Sequence, residues 1–311
     1  MAVNLFISSS NDMKNDFLKF IISIFSFFLL LLLCDRGVAL VENRLYSSQD
    51  TKINYAHLNE DIADVVILGS SRASHHYVPQ ILTDSLGLSC INLGEDGQGI
   101  LYCYSLAHMM LENNAPRVIV YEFGTQDYVK GVGDNINPLS VVYGKDAEVD
   151  DIFKNVKSDI ATSINVFSSY RYNALLHKVA MNSYETAMPH MGYKPLYGSK
   201  KDGNKITVDD SETIVDDYKI EVFKRLVSEC KEKKVLLIGV YSPKYSISDE
   251  FRTNFPVELF AEVEVPFLDY REATFDTEHY IDNGHLNDVG AKWFSSRLAS
   301  DLKKYIEQCA F

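Results

Sequence analysis

Apolar positions fall into two regimes along the chain. Residues 17–34 (FLKFIISIFSFFLLLLLC) are apolar on every side, interrupted only by Lys19. A helix at the surface of a soluble fold keeps a polar face, and this run has none. About 20 apolar residues cross a bilayer, and Lys19 can extend its ammonium to the headgroups. The run therefore predicts one N-terminal transmembrane helix. Gly37-Val38-Ala39 offers small residues at a cleavage position. The Leu-rich run, however, resembles an anchor more than a short signal core, so it is expected to stay attached. Lys14 and Lys19 before it balance Arg36 and Arg44 after it. The N-terminal amine tips the orientation to N-inside, which leaves the rest of the chain outside the cytoplasm.

After a linker over 41–57, the second regime alternates short apolar runs with amphipathic ones. Residues 64–68 (DVVIL), 89–93 (SCINL), 117–123 (RVIVYEF), 235–241 (VLLIGVY) and 265–269 (VPFLD) read as strands. Continuous apolar runs of this length belong to strands covered on both faces, as in parallel sheets. Helices are expected over 78–86, 100–111, 218–233 and 288–308. In the last, Trp293, Phe294, Leu298, Leu302 and Tyr305 recur at helical spacing. Strands alternating with helices imply βαβ units, right-handed crossovers and a doubly wound α/β sandwich. The alternation fails over about 128–211, where helices near 150–161 and 166–181 and a polar loop at 198–204 are expected. An insertion of that length after a strand end usually walls a site.

Composition narrows the function. The chain of 311 residues carries 30 Lys+Arg against 43 Asp+Glu, a net charge of −13. That balance repels phosphate backbones and excludes a broad nucleic-acid surface. With 46% hydrophobic residues, 17 Phe and 19 Tyr, the chain is no disordered segment. Cys34, Cys90, Cys103, Cys230 and Cys309 are too few for a disulfide scaffold, and none are spaced as zinc ligands.

Ligands of an open parallel sheet collect at the carboxyl ends of its strands. There this sequence places Gly69-Ser70-Ser71-Arg72, Asn92-Leu93-Gly94-Glu95-Asp96-Gly97, Gly124-Thr125-Gln126-Asp127 and Asp282-Asn283-Gly284-His285-Leu286-Asn287. These clusters hold the parts of an acyl-transfer site. A serine hydroxyl needs a base to take its proton, and imidazole is the usual one. The imidazole needs a carboxylate to hold its tautomer. Asp282 and His285 can supply both if their loop turns tightly, and Gly284 would ease that turn.

The set resembles the SGNH (GDSL-like) hydrolase family, whose sequence blocks occur in this order. Gly69-Ser70-Ser71 lies where that family has Gly-Asp-Ser, which implies Ser71 as nucleophile. Asn92-x-Gly94-x-x-Gly97 is similar to the second block and implies the Gly97 N–H as an oxyanion donor beside the Ser71 N–H. Gly124-Thr-Gln-Asp127 resembles Gly-x-Asn-Asp and puts Gln126 where the family has its oxyanion Asn. Asp282-x-x-His285 resembles the terminal block, implying His285 as base and Asp282 as its orienter. The resemblance implies a three-layer α/β/α sandwich with a mainly parallel, flavodoxin-like sheet over 41–311, behind an anchor and flank at 1–40. Two departures stand out. Ser70 replaces the usual Asp, and Gln126 is one methylene longer than Asn.

Tyr170–Asn173, Gly192–Pro195 and Tyr241-Ser242-Pro243 look like segments of membrane-anchored, envelope-associated SGNH proteins. The resemblance implies a single-pass protein with its domain on the periplasmic side. Its activity would be that of a serine esterase or O-acyltransferase on O-acyl, chiefly acetyl, esters of a glycan or envelope polymer. Arg72, Tyr193 and Ser242 become substrate-binding candidates, and Tyr170, Tyr172 and Tyr193 could stack on sugars. No metal or organic cofactor is implied. An envelope-assembly protein partner is compatible with this reading.

Blander readings stand beside these. Ser70 is expected to cap the next helix, His75 and His76 to be solvated or capping, and His279 to pack at the surface. Glu95 and Asp96 are expected in a turn. A non-catalytic glycan- or partner-binding scaffold on the same fold is the alternative. A carboxylate or metal site at Glu95, Asp96 and Asp127 is a third.

Overall fold

Short apolar runs with no polar face can be buried only as the middle layer of a sandwich. The computed structural model describes residues 2–133, 135–173, 188–200, 214–245, 250–271 and 276–308. Its elements begin with α1 (Ala2–Ser47), α2 (Lys52–Leu58), β1 (Val65–Leu68), α3 (Ser71–His76), α4 (Pro79–Leu86), β2 (Cys90–Asn92), α5 (Ile100–Asn113) and β3 (Val118–Glu122). They continue with α6 (Ala147–Val156), α7 (Ser158–Val166), α8 (Asp217–Glu232), β4 (Leu236–Tyr241), α9 (Glu250–Glu262), β5 (Phe267–Asp269) and α10 (Asp288–Gln308). The chain divides into two compact units, Met1–Ser48 with Lys157–Tyr184, and Gln49–Val156 with Glu185–Phe311.

The larger unit is an α/β/α sandwich on one parallel sheet of order β2-β1-β3-β4-β5, the flavodoxin-like order. Its register aligns Val65 with Cys90 and Val118, Val118 with Leu236, and Gly239 with Phe267. One face packs Val65, Ile67, Val120 and Ile238 against Leu82 of α4 and Phe294, Leu298 and Leu302 of α10. On the other, Tyr121 lies 5.8 Å from the Phe223 ring of α8. Gly239 must be glycine for that layer to close, because a Cβ there would fall 2.2 Å from Phe260 of α9.

In the smaller unit, α1 leaves the side chains from Phe17 to Leu33 exposed. It is long and apolar enough to cross a bilayer, with a mean hydropathy of 2.6 over its best window.

The elements differ from expectation at several places. The linker expected over 41–57 is largely helical, forming the end of α1 and all but the last residue of α2. The helix expected at 150–161 breaks at Lys157, whose backbone is non-helical, giving α6 and α7. Part of the helix expected at 166–181, and residues 201–204 of the polar loop, lie outside the described residues. α3 is a helix the pattern did not predict. It is separated from α4 by extended Tyr77 and Val78, since Pro79 at the start of α4 disfavours helix before it. α9 was equally hidden, because Pro256 sits inside it and reads as a breaker.

Candidate active site

The turn after β1 sets the position of Ser71. Gly69 has φ 149°, and a Cβ there would meet Glu122 at 2.7 Å and Ala73 at 2.8 Å. Glycine therefore lets the ends of β1 and β3 and the start of α3 converge. The loop after β2 docks on this turn: Glu95 N–H donates to Gly69 O at 3.0 Å, and a Cβ on Gly94 would lie 2.4 Å from Ala73. Ser70 occupies the N-cap position of α3, yet its hydroxyl makes no capping bond, contrary to expectation.

The terminal loop closes through Ile281 N–H to His285 O (3.0 Å) and a bridge between Tyr280 and Leu286. Within it, Asp282 Oδ1 accepts from the N–H groups of Gly284 (2.7 Å) and His285 (2.8 Å). This Asx turn curls the loop so that the His285 ring returns over its own carboxylate. Gly284 is not among the positive-φ glycines. It serves the turn by its N–H, not by the unusual backbone angles the sequence suggested.

His285 Nδ1 lies 2.9 Å from Asp282 Oδ2, and Nε2 lies 2.8 Å from Ser71 Oγ. An ionised carboxylate can only accept, so Nδ1 carries the proton and Nε2 offers its lone pair to the serine hydroxyl. Burial pushes the Asp282 carboxyl up. The His285 ring and the turn's N–H groups outweigh it and bring the pKa down to about 2. Asp282 is thus a carboxylate throughout the neutral range.

Beneath this loop lies a buried polar layer that the sequence did not announce. Leu286 N–H donates to His76 Nε2 at 2.9 Å, which leaves Nδ1 as the donor to Ser242 Oγ at 2.7 Å. Ser242 in turn donates to Glu122 Oε1 at 2.9 Å. Glu122 also accepts from the Tyr77 hydroxyl and pairs with Arg72 Nη2 at 2.9 Å. Arg72 further donates to Phe123 O, and its guanidinium lies 4.2 Å over the Tyr241 ring. Burial, then Arg72 and the other two histidines, hold His76 well below the ordinary imidazole range, so it stays neutral. Its ring packs edge-on to His285, with centroids 6.1 Å apart.

Several expected roles change accordingly. Arg72 and Ser242 are buried in this layer and occupied by it, and Tyr193 is buried with its hydroxyl on Asp288 Oδ1 at 3.0 Å. All three are interior side chains, and Arg72 keeps one nitrogen, Nη1, without a hydrogen-bond partner. Tyr172 is also buried, whereas Tyr170 is exposed. His75 and His76 are buried, not solvated. His75 Nδ1 donates to Lys194 O at 2.6 Å, and Nε2 lies 3.2 Å from Asp96. Burial lowers its pKa, but Asp96 and the Lys194 carbonyl outweigh that and raise it. His279 stacks on Trp293.

Two of the three carboxylates considered for a metal are paired with other side chains. Glu95 pairs with Lys52 and Lys194, each at 3.1 Å, and Asp96 with His75. Asp127 lies folded against Gly124, where burial pushes it up to about 7 against the lowering effect of Arg72 and Lys219. Among the described residues no group of three or more His, Cys, Asp and Glu could hold a metal ion.

Gly97 is exposed with φ 72°, the left-handed region that glycine favours. Gln126 sits exposed in the turn Thr125–Tyr128 after β3. One signal in the sequence could have exposed the buried layer. Glu122 is an acidic residue inside an apolar strand, and a buried carboxylate demands a cation and donors nearby.

No protein-family model matches the chain, and no curated protein matches it. Solved structures do. A protein assigned to the G-D-S-L lipolytic family from Desulfitobacterium hafniense matches at 12% identity and TM-score 0.39, over 76% of this chain and 97% of that one. The acetyl xylan esterase AlAXEase matches at 15% identity and TM-score 0.37, over 76% and 99%. A catalytic mutant of an acetylxylan esterase from Geobacillus stearothermophilus matches at 12% identity and TM-score 0.37, over 77% and 92%. The chemistry of the site is read from this chain's own side chains.

Proposed function

We propose that this chain is a serine ester hydrolase or acyltransferase of the SGNH type, working through an acyl-enzyme on Ser71. One observation carries the reading: the continuous hydrogen-bonded line Ser71 Oγ–His285–Asp282 at 2.8 and 2.9 Å. Ser71 Oγ attacks the acyl carbonyl while His285 Nε2 takes its proton, and Asp282 steadies the imidazolium that results. His285 then returns the proton to the departing alkoxide. Water or an acceptor hydroxyl resolves the acyl-enzyme by the same relay in reverse. The oxyanion is assigned to the N–H groups of Ser71 and Gly97 and to the Gln126 amide, which reaches the carbonyl oxygen from a slightly displaced position.

The proposed substrates are O-acyl, chiefly acetyl, esters of a glycan or envelope polymer. The apolar run at 17–34 supports placing the enzyme on the bilayer; a domain on the periplasmic side is part of the proposal. Gln126 in place of Asn is what favours the rival reading, a binding scaffold without turnover. Ester hydrolysis by the full chain and its Ser71→Ala and Gln126→Ala variants separates them. The enzyme reading expects Ser71→Ala to abolish turnover and Gln126→Ala to lower it by roughly 10²–10³. Equal, negligible rates in all three on a panel of acetylated saccharides would favour the scaffold.

A further inference from the structure

In the smaller unit, α1 turns polar immediately after its apolar run, and residues 157–173 are fastened to it there. Asp35 accepts from the Ser168 N–H at 2.8 Å, the Ser169 N–H at 3.1 Å and the Ser169 hydroxyl at 2.6 Å. Arg36 Nη2 donates to Val166 O at 3.4 Å. Farther along, the Tyr172 hydroxyl donates to Asn43 Oδ1 at 2.6 Å, and its ring packs 6.2 Å from Tyr46. A helix rises about 1.5 Å per residue, so Asn43 lies roughly 12 Å beyond Asp35 along the axis. Residues 166–169 are therefore level with the last apolar turn of α1, and Tyr172 stands well outward of it.

Apolar side chains are bare at the inner level, beside the half-exposed Arg36. α7 turns Ala161 and Ile164 inward, while Val166, Phe167 and Tyr170 remain 48%, 40% and 41% exposed. On α1 itself Val38, Leu40 and Val41 are also exposed. Asp35 is the one acidic group at this level of the helix, and it is buried, its oxygens occupied by backbone and hydroxyl donors. A charge so satisfied can lie next to lipid without being stripped of its partners. Exposed apolar and aromatic side chains where a spanning helix turns polar match the composition of a membrane interface.

We propose that Val166, Phe167 and Tyr170 seat in the headgroup layer of the bilayer that residues 17–34 cross, making the 157–172 segment a second membrane contact. The proposal rests on the membrane-spanning reading of α1. Lipid is the occupant because Asp35 and Arg36, the first polar residues after the apolar run of α1, hold the Ser168 and Ser169 N–H groups and Val166 O, which sets the exposed Val166 and Phe167 at the end of that run. The contact holds the helix end where it leaves the bilayer.

The full chain in liposomes tests this. Trp293 is the only tryptophan, so Trp293→Phe gives a silent background for Phe167→Trp, Tyr170→Trp and Phe28→Trp. Lipids brominated near the headgroup or deep in the acyl chain then report depth by quenching. The expected result is deep quenching at position 28, and shallow quenching with a blue-shifted emission at 167 and 170. Deep quenching at 28 with water-like, unquenched emission at both 167 and 170 would overturn the proposal and leave the spanning helix standing. Unquenched emission at all three positions would remove the spanning helix and this contact with it.

Discussion

Asp282 and Glu122 are carboxylates on the same rim, in opposite settings. Asp282 is in a surface loop and gathers its donors from within three residues, two backbone N–H groups and the His285 ring. Those donors keep its pKa near 2. Glu122 is buried at the end of β3 and gathers Arg72, Tyr77 and Ser242 from α3, its flank and the end of β4. There burial raises its pKa against all of them. The difference teaches how the site is built. A local turn makes the reactive geometry, and a non-local buried layer makes the floor on which that turn rests, with His76 joining the two through Leu286.

Each level can be broken separately. The largest effect is expected from Asp282→Asn, which removes the carboxylate that fixes the His285 tautomer. Esterase kcat should fall by roughly 10⁴ with little change in thermal stability, read by steady-state kinetics beside a melting curve. Glu122→Ala should reverse that pattern. It leaves the Arg72 guanidinium buried without its partner, a loss of about 3–5 kcal/mol in unfolding free energy by urea titration. If Glu122→Ala were as stable as the parent, the floor would not be the supporting layer described.

Asp127 sharpens the contrast through pH. An unfolded aspartate releases its proton near pH 3.9, whereas this one is held to about 7 by burial. Between those values the folded state binds more protons than the unfolded state, so stability falls as pH rises. The loss is up to about 4 kcal/mol by pH 8. Asp127→Asn should abolish that part of the decline, so its advantage over the parent in urea should grow from pH 4.5 to pH 8. The smallest effect is expected where the two levels meet. His76→Phe leaves Leu286 N–H without an acceptor, worth about 1–3 kcal/mol. It should appear as a drop in kcat with KM nearly unchanged, partly restored in His76→Gln, whose amide oxygen can accept.

The same division separates what was legible in the sequence from what was not. The five strands, the long helices and the tight Asp282–His285 turn could be read because each rests on local pattern: an apolar run, a helical period, or a loop closed within a few residues; Ser71, 214 residues from His285, is singled out only by its resemblance to the SGNH block. Pairings such as Arg72 with Glu122 or His76 with Ser242 join residues far apart in the chain, and no spacing rule encodes them. For that reason the burial of Ser242 and Tyr193 could not be read, and for Arg72, whose ordinary role is to pair with a carboxylate, the partner Glu122 could not be named. Short α3 and proline-containing α9 were missed for another reason: one is too brief for a period, and the other breaks the rule by which helices are recognised.

The central claim is that Ser71 is a nucleophile made reactive by the His285–Asp282 pair. Treat the full chain with a serine-directed fluorophosphonate and map the adduct by mass spectrometry, with His285→Ala alongside. One phosphonyl group on the peptide containing Ser71, formed far more slowly in His285→Ala, is the result this account predicts. An unlabelled Ser71 in the parent, or equal labelling in both proteins, would contradict it.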